Sequence, residues 1–378
     1  MDEVWYQLCG YILAERLSRA DEHMFSWGKS KSVVGLDIGS SAVKAVELRP
    51  LGRGFKVAAV AIEPVPPDSI VDGAIIDGGA VADAIRRVFA RKVFKSKDVV
   101  ASLSGNAVIV KKISLPVMTD AELSESIYWE AEQYIPFDIQ DVNLDYQILD
   151  PGTAPDSRGS MEVLLVAAKK EKIADYTGVI AQAGCVPVIV DVDAFALQNA
   201  CEANYGLKSG AVVVLINAGA SAVNVNILNG DQSLFTRDIS LGGNAYTEAV
   251  QRELNLPFQA AELAKKGQAV DGVRFDEVRP VLHAMTENVL LEIQKTFDFF
   301  KATASSDHID RIYLSGGAAW VDGFMQALEE RFHAPVEMFD PFKKIACDPH
   351  KLGIHDAQQL TSTGAVAVGL ALRKAGDR

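Results

Sequence analysis

The residues best placed to do chemistry lie in Val33–Leu48, VVGLDIGSSAVKAVEL. A run of small and apolar residues delivers Asp37 into a turn of Gly39, Ser40 and Ser41, and an alternating strand leaves it. Gly39 lets backbone approach a ligand closely, and the amides and hydroxyls around Ser40 and Ser41 can face phosphate oxygens. A carboxylate beside such a turn suits Mg²⁺, held directly or through water against those phosphates. A plain hairpin with a polar glycine turn has the same residues, and from this stretch alone the two readings weigh equally. A second place for close approach comes much later. Arg311–Ser315 predicts a buried strand that runs into Gly316 and Gly317 and then a helix over Val321–Phe332; such a turn brings backbone amides against a ligand. Taken alone, it is an ordinary strand-to-helix turn.

The first stretch occurs twice. Val213–Leu228, VVLINAGASAVNVNIL, aligns without a gap on Val33–Leu48. Val33, Val34, Gly39, Ser41, Ala42, Val43 and Leu48 match Val213, Val214, Gly219, Ser221, Ala222, Val223 and Leu228. Copies about half a chain apart are what a duplicated domain produces. Shared glycine, serine and alanine in the turn argue against a chance match of two apolar hairpins.

The elements that must position these turns follow from periodicity. Phe55–Ile62 is a third strand, ended by the prolines of 64–67, and Ala80–Arg91 is a helix with Val81, Ala84, Ile85 and Val88 on one face. Val99–Leu103 and Ala107–Ile113 are strands. Thr119 with Glu122 predicts a capping box for a helix that Pro136 stops. Val142–Leu149 and Glu162–Ala168 are strands either side of a loop of Pro, Gly, Ser and Asp, so 114–168 reads as a small inserted α/β subdomain. Its aromatic cluster is Tyr128, Trp129, Tyr134 and Phe137, with Ile135. Lys170–Ala183 is a helix, VPVIVDVD a strand, and Phe195–Tyr205 another helix. Val281–Ala304 is a long amphipathic helix, and Thr363–Lys374 is a small-residue helix suited to close packing on a sheet. Met1–His23 reads as an amphipathic helix ahead of the natural start of the domain.

Composition sets the class. A chain of 378 residues, 49% hydrophobic and 23% charged, has the length for two or more globular domains. A net charge of −13 argues against a general nucleic-acid binder. Cys9, Cys185, Cys201 and Cys347 lie far apart with no CxxC spacing, which fits free thiols in a reducing compartment. The histidines form no metal-binding cluster, no apolar run is long enough to span a bilayer, and Glu15, Arg16 and Arg19 interrupt any signal-peptide core. A cytoplasmic protein is expected.

Together, the two phosphate-type hairpins, the late strand, glycine pair and helix, and the closing small-residue helix resemble the actin-like ATPase fold. In that fold, duplicated ribonuclease-H-like α/β domains close over ATP. GLDIGSSAVK resembles its first phosphate motif, INAGASAVN the second and YLSGGAAWVDGF the adenosine motif, with VIVDVDAFAL and STGAVAVGLALR as the connecting segments. The inserted subdomain carrying EAEQYIPF and DYQIL, of the type found in the division protein FtsA, is similar to that of the PilM family of type IV pilus assembly proteins. The FtsA family ends in an amphipathic membrane-binding helix, whereas this sequence stops at LRKAGDR, which favours the PilM family. The expected division is an N-terminal extension at 1–31, a first actin-like domain at 32–113 and 169–208, the insertion at 114–168, a second domain at 209–360 and the closing helix at 361–378.

The resemblance implies roles for individual residues. Asp37 orients Mg²⁺ through water, Gly39, Ser40, Ser41 and Lys44 meet the phosphates, and Gly219, Ala220 and Ser221 hold their opposite side. Asp191 lies near the metal or the attacking water. Gly316 and Gly317 run along the nucleoside, and Glu262 and Lys265 lie near the base or ribose, although a solvated helix face explains that pair equally well. Asn217 stands where the second phosphate motif carries aspartate, so the resemblance implies slow hydrolysis. Two functions compete. One is an ATP-binding scaffold that takes the cytoplasmic N-terminal tail of the inner-membrane protein PilN, joining the membrane alignment complex to the motors and touching the membrane only through partners. The other is an active ATPase or sugar-kinase-like enzyme, for which Asp191 is the base candidate.

Overall fold

In the computed structural model, which describes residues 32–152, 159–303, 308–352 and 357–374, the duplication is visible strand by strand. The helix expected over Met1–His23 lies outside the described residues. The first half opens with β1 (Val34–Ile38), β2 (Ala42–Leu51) and β3 (Gly54–Pro64), then the short pair β4 (Ile70–Val71) and β5 (Ala74–Ile75), then β6 (Asp98–Leu103). Three strands follow, β7 (Val108–Pro116), β8 (Val142–Asp150) and β9 (Ser160–Lys169), before β10 (Val186–Val192) completes it. The second half contains β11 (Val212–Ala218), β12 (Val223–Asn229), β13 (Gln232–Ile239), β14 (Arg311–Ser315) and β15 (Val336–Met338).

The two main sheets have the orders β10-β6-β1-β2-β3 and β15-β14-β11-β12-β13. Each is an antiparallel meander of three strands with two parallel strands added to its first. The hairpin registers repeat as well. Val34 pairs with Glu47 and Val214 with Ile227, the same offset that aligns the two sequences. The parallel strands are nearly continuous apolar runs because helices cover both faces of the sheet.

On one face of the first sheet, Val81, Ile85 and Val88 of the helix Gly78–Ala90 and Ile173 and Ile180 of the helix Lys170–Gln182 pack with Val34 and Leu36. On the other face lie the helices Asp193–Tyr205 and Ala365–Ala371. The closing helix expected over Thr363–Lys374 is two pieces, Ala357–Thr363 and Ala365–Ala371, joined at Gly364. Its small residues allow backbone to meet backbone. A Cβ at Gly35 would lie 2.1 Å from the Ala367 carbonyl, and one at Gly369 only 1.7 Å from that of Ala196.

The inserted sheet has the order β7-β9-β8. The helix Asp120–Glu132 covers it, with Leu123, Ile127 and Ala131 against Met161, Val163 and Leu165. The capping box forms: the Thr119 amide donates to Glu122 Oε2 at 2.8 Å and the Glu122 amide to Thr119 Oγ1 at 3.3 Å. Because β7 pairs with β9 from Val108 to Pro116, this sheet begins at Val108, earlier than the boundary at 114 expected from texture alone. Within the aromatic cluster, Ile135 is core and Tyr134 and Phe137 pack on it, while Tyr128 and Trp129 are 51% and 74% exposed.

Two glycine substitutions separate packing from chain entropy. Gly369→Ala should lower stability by about 1–3 kcal/mol or more, because neither backbone can retreat. Gly178→Ala, in the helix Lys170–Gln182 with nothing within 4 Å of its added Cβ, should raise stability by roughly 0.5–1 kcal/mol. Thermal or denaturant unfolding of the two variants checks both signs.

Candidate functional site

Between the two halves lies a cavity of about 640 Å³. Its lining includes Asp37, Gly39, Ser40, Ser41 and Lys44 from the first hairpin and Asn217, Gly219, Ala220 and Ser221 from the second. Glu262, Lys265, Gly316 and Gly317 complete the sequence candidates found there. The hairpin turns share one geometry: the Gly39 amide donates to Ala42 O at 3.1 Å and the Gly219 amide to Ala222 O at 2.9 Å. They meet across the cavity, with Ser40 Oγ and Ser221 Oγ 2.6 Å apart.

Strand register explains the first ion pair. Asp37 and Lys44 are direct partners across β1 and β2, and Lys44 Nζ donates to Asp37 Oδ2 at 2.9 Å. Both side chains are largely covered, and the ammonium lies over the turn, 2.8 Å from where a Cβ on Gly39 would be. At the other turn Gly316 has φ of +95° and a Cβ there would strike the Ala218 carbonyl, so no side chain fits. Its amide donates to Ser362 O at 2.7 Å. Lys265 Nζ donates to Gly243 O at 3.1 Å and Thr247 Oγ1 at 2.9 Å, and it pairs with Glu262. Burial alone would raise the Glu262 carboxyl, but Lys265, Thr247 and Lys266 outweigh it and hold it below the usual carboxylate range.

Asp191 is a correction. It does not line the cavity; it is fully buried and pairs with Arg373 at 3.3 Å. Alternation along β10 explains this. Asp191 shares a sheet face with Ile189, under the helix Ala365–Ala371, which is where Arg373 arrives. Asp193, two residues on, has left the strand as the first residue of the helix Asp193–Tyr205, and its carboxylate faces the cavity. Ser102 donates to it. Burial, and then the nearby Asp37 carboxylate, push the Asp193 carboxyl up to about 6, against the opposing hydrogen bonds of Ser102 and Ser104.

Sequence reading also missed the cavity floor. Ser315, Asn217, Asn224 and Asp238 are successive cross-strand partners on β14, β11, β12 and β13. Their side chains form one hydrogen-bonded row. Ser315 Oγ donates to Asn217 Oδ1 at 3.3 Å, Asn217 Nδ2 to Asn224 Oδ1 at 3.1 Å, and Asn224 Nδ2 to Asp238 Oδ1 at 2.7 Å. The other Asp238 oxygen accepts from the Gly105 amide of the first half. The signal available in sequence was the alternating polar positions of VNVNIL, once β12 was placed beside a further strand. Lys172, also unread, reaches the same region and donates to Ser104 O. Burial pulls its ammonium below the usual lysine range, opposed by Asp193 and Asp238.

Among the described residues no three acidic, histidine or cysteine side chains converge to hold a metal ion. A divalent cation here would take most of its shell from water and ligand oxygens, the habit of Mg²⁺. Nor, among those residues, is any helix long and apolar enough to cross a membrane.

The family model for type IV pilus assembly protein PilM matches residues 35–375. The chain belongs to the PilM family. A solved structure described as the PilM-PilN type IV pilus biogenesis complex is 32% identical, covers 91% of this chain and 98% of that one, and superposes with a TM-score of 0.77. Beyond the PilM family only the fold is shared. EutJ, an ethanolamine utilization protein from Carboxydothermus hydrogenoformans, is 17% identical over 92% of this chain and 91% of its own, with a TM-score of 0.50. MreB5 of Spiroplasma citri bound to ADP is 15% identical over 90% and 95%, also at 0.50. The duplicated sheets of this PilM-family chain are those of the actin-like ATPase fold.

The crowding of Asp193 has a stability consequence. Its folded value, about 6, lies above the ordinary 3.8. The folded state therefore holds this proton more tightly, and stability falls as pH rises between those two values. Asp193→Asn should melt a few degrees above wild type at neutral pH, with the difference shrinking as the pH drops below 6. Melting curves of both proteins across that range test it; a constant difference would contradict the assignment.

Proposed function

We propose that this chain is an ATP-binding scaffold of the type IV pilus machine, closing its halves over Mg²⁺–ATP and, in that state, holding the cytoplasmic N-terminal tail of a PilN-type inner-membrane partner. The observation that carries the nucleotide reading is the meeting of two equivalent glycine-serine turns across one cavity, with Ser40 Oγ and Ser221 Oγ 2.6 Å apart. Phosphates bound between the turns would replace that contact with hydrogen bonds from both. MreB5, which shares the fold, has been solved with ADP and with AMPPNP.

Mg²⁺, when bound, would supply positive charge that offsets the charge on the phosphates. The residues present fit it as an outer shell: Asp37, Asp193 and Asp238 all face the cavity and would order its waters. Lys44 reaches the phosphates from beside Asp37. Asn217 donates and accepts hydrogen bonds in the floor but takes no proton. Partner binding draws on the similar structure, which is a complex with PilN. The inserted subdomain, whose helix Asp120–Glu132 carries the exposed Tyr128 and Trp129, is the proposed seat of an extended apolar peptide. That partner would hold the chain at the inner face of the membrane and link the alignment complex to the motors.

A second reading, an active ATPase or kinase, is favoured by Asp193, a carboxyl at about 6 in the cavity. Turnover separates the two. The scaffold should bind Mg²⁺–ATP with a rise in melting temperature, by linkage about 2.7 kcal/mol at a hundredfold excess over Kd. Lys44→Ala should reduce that rise. Hydrolysis should be slow, and Asn217→Asp should speed it by roughly one to three orders of magnitude. Capture of a synthetic PilN-tail peptide should improve with ATP. Wild-type hydrolysis at the rate of ordinary ATPases would favour the enzyme, and an unchanged melting curve with saturating ATP would remove the nucleotide site.

A further inference from the structure

The helix Asp120–Glu132 of the inserted subdomain turns Leu123, Ile127 and Ala131 onto its sheet. The pairs that follow each of them, Ser124 with Glu125, Tyr128 with Trp129 and Glu132 with Gln133, therefore face away, and all six are exposed. No other large apolar side chain among the described residues is as open to water as Trp129. A tryptophan and a tyrosine held side by side on an anchored helix are the anchors that protein interfaces favour.

The charge around this face has one sign. From Val117 to Asp150 the sequence holds nine carboxylates and no lysine, arginine or histidine. Lysines that flank the stretch are engaged elsewhere. Lys112 pairs with Glu162, Lys111 and Lys169 lie over the rings of Tyr134 and Phe137, and Lys170 donates to Gln140 O at 2.7 Å. Glu130 and Glu132 even occupy the last turn, which has no basic residue, where the helix dipole favours positive charge. A cationic partner would relieve that arrangement. The same charge tells against other occupants: anionic lipid headgroups and nucleic acid would be repelled, and so would the same face of a second copy. An extended peptide draws on main-chain pairing with a strand edge, such as that of β8 at the outside of the inserted sheet, and a helix surface offers none.

We propose that the outer face of Asp120–Glu132 is the docking surface for a basic amphipathic helix of a second protein partner, separate from the extended tail. Glu125 and Glu132 are two helical turns apart, about 10 Å along the axis. A partner helix lying alongside meets them with lysines or arginines spaced seven residues apart. Its apolar residues between these cover Tyr128 and Trp129, and a cation over the indole adds to the contact.

The test uses the full chain and a synthetic helical peptide of roughly 18 residues, five turns, with leucines on one face and lysines on the other. Binding should shift the tryptophan emission to shorter wavelength and weaken as salt is raised. Trp129→Ala should bind the peptide about tenfold more weakly, the scale of one aromatic anchor. Reversing two charges, Glu125→Lys with Glu132→Lys, should weaken it at least as much. Reversing two exposed glutamates of the second half, Glu248→Lys with Glu329→Lys, changes the net charge equally and should leave binding near wild type. Capture of the PilN-tail peptide should survive all of these substitutions. No binding of the basic peptide, equal losses from the two double reversals, or wild-type affinity in Trp129→Ala overturns the docking face. Binding to vesicles of anionic lipid that Trp129→Ala removes overturns it in favour of a membrane. Loss of PilN-tail capture on reversal at 125 and 132 assigns the face to the tail and overturns a separate partner, while the scaffold reading stands.

Discussion

Carboxylates from both halves converge on one cleft, and like charges in a partly dry space raise one another's energy unless a cation joins them. Asp37 comes from β1, Asp193 from the first residue of the helix that follows β10, and Asp238 from β13. Two lysines answer them from the protein itself, Lys44 in contact with Asp37 and Lys172 near Asp193 and Asp238. The answer is incomplete, since Asp193 still titrates at about 6. Much of the local architecture follows from this tension. Serines donate to Asp193, and backbone and amide groups donate to Asp238.

Asn217 takes on meaning in that setting. It sits mid-row between Ser315 and Asn224, accepting from one and donating to the other. An amide can do both at once; an ionised carboxylate only accepts. A carboxylate there would face the Asn224 oxygen without a proton to offer and would add charge beside acids already crowded. The missing charge at 217 is thus matched to the charge at 238, which sequence reading did not see.

What sequence made legible was local and periodic. The repeated hairpin, its turn residues, the capping box at Thr119 and the strand before Gly316 depend on neighbours within a few positions, and the structure has them with the same register. Asp191 and Asp193 could not be told apart in this way. They are two residues apart, equal in parity, and the difference is that the strand ends between them. The polar row needed knowledge of which strands are adjacent: Asn217 and Asn224 are near in sequence, but Asp238 and Ser315 join them only through sheet order. β15 and the start of the inserted sheet were obscure for the same reason, since pairing with a distant strand defines them.

The two halves differ in what is hung on a common sheet, and the placement is informative. Between their third and fourth strands both carry helices; the second half expands there, into Gly243–Leu254, Phe258–Lys265 and Phe275–Thr303. The first half instead expands after its fourth strand, β6, whose C-terminal end opens into the cleft. In open parallel α/β sheets that end is where ligands gather. The inserted sheet therefore starts at the cavity wall: Ser104, Gly105 and Asn106 line it, and β7 begins at Val108. The Gly105 amide is also the group that Asp238 holds from the second half. One hydrogen bond thus joins the cleft floor, the opposite half and the root of the inserted sheet. Any change in the angle between the halves must act on that bond, and through it on the strand that begins the insertion.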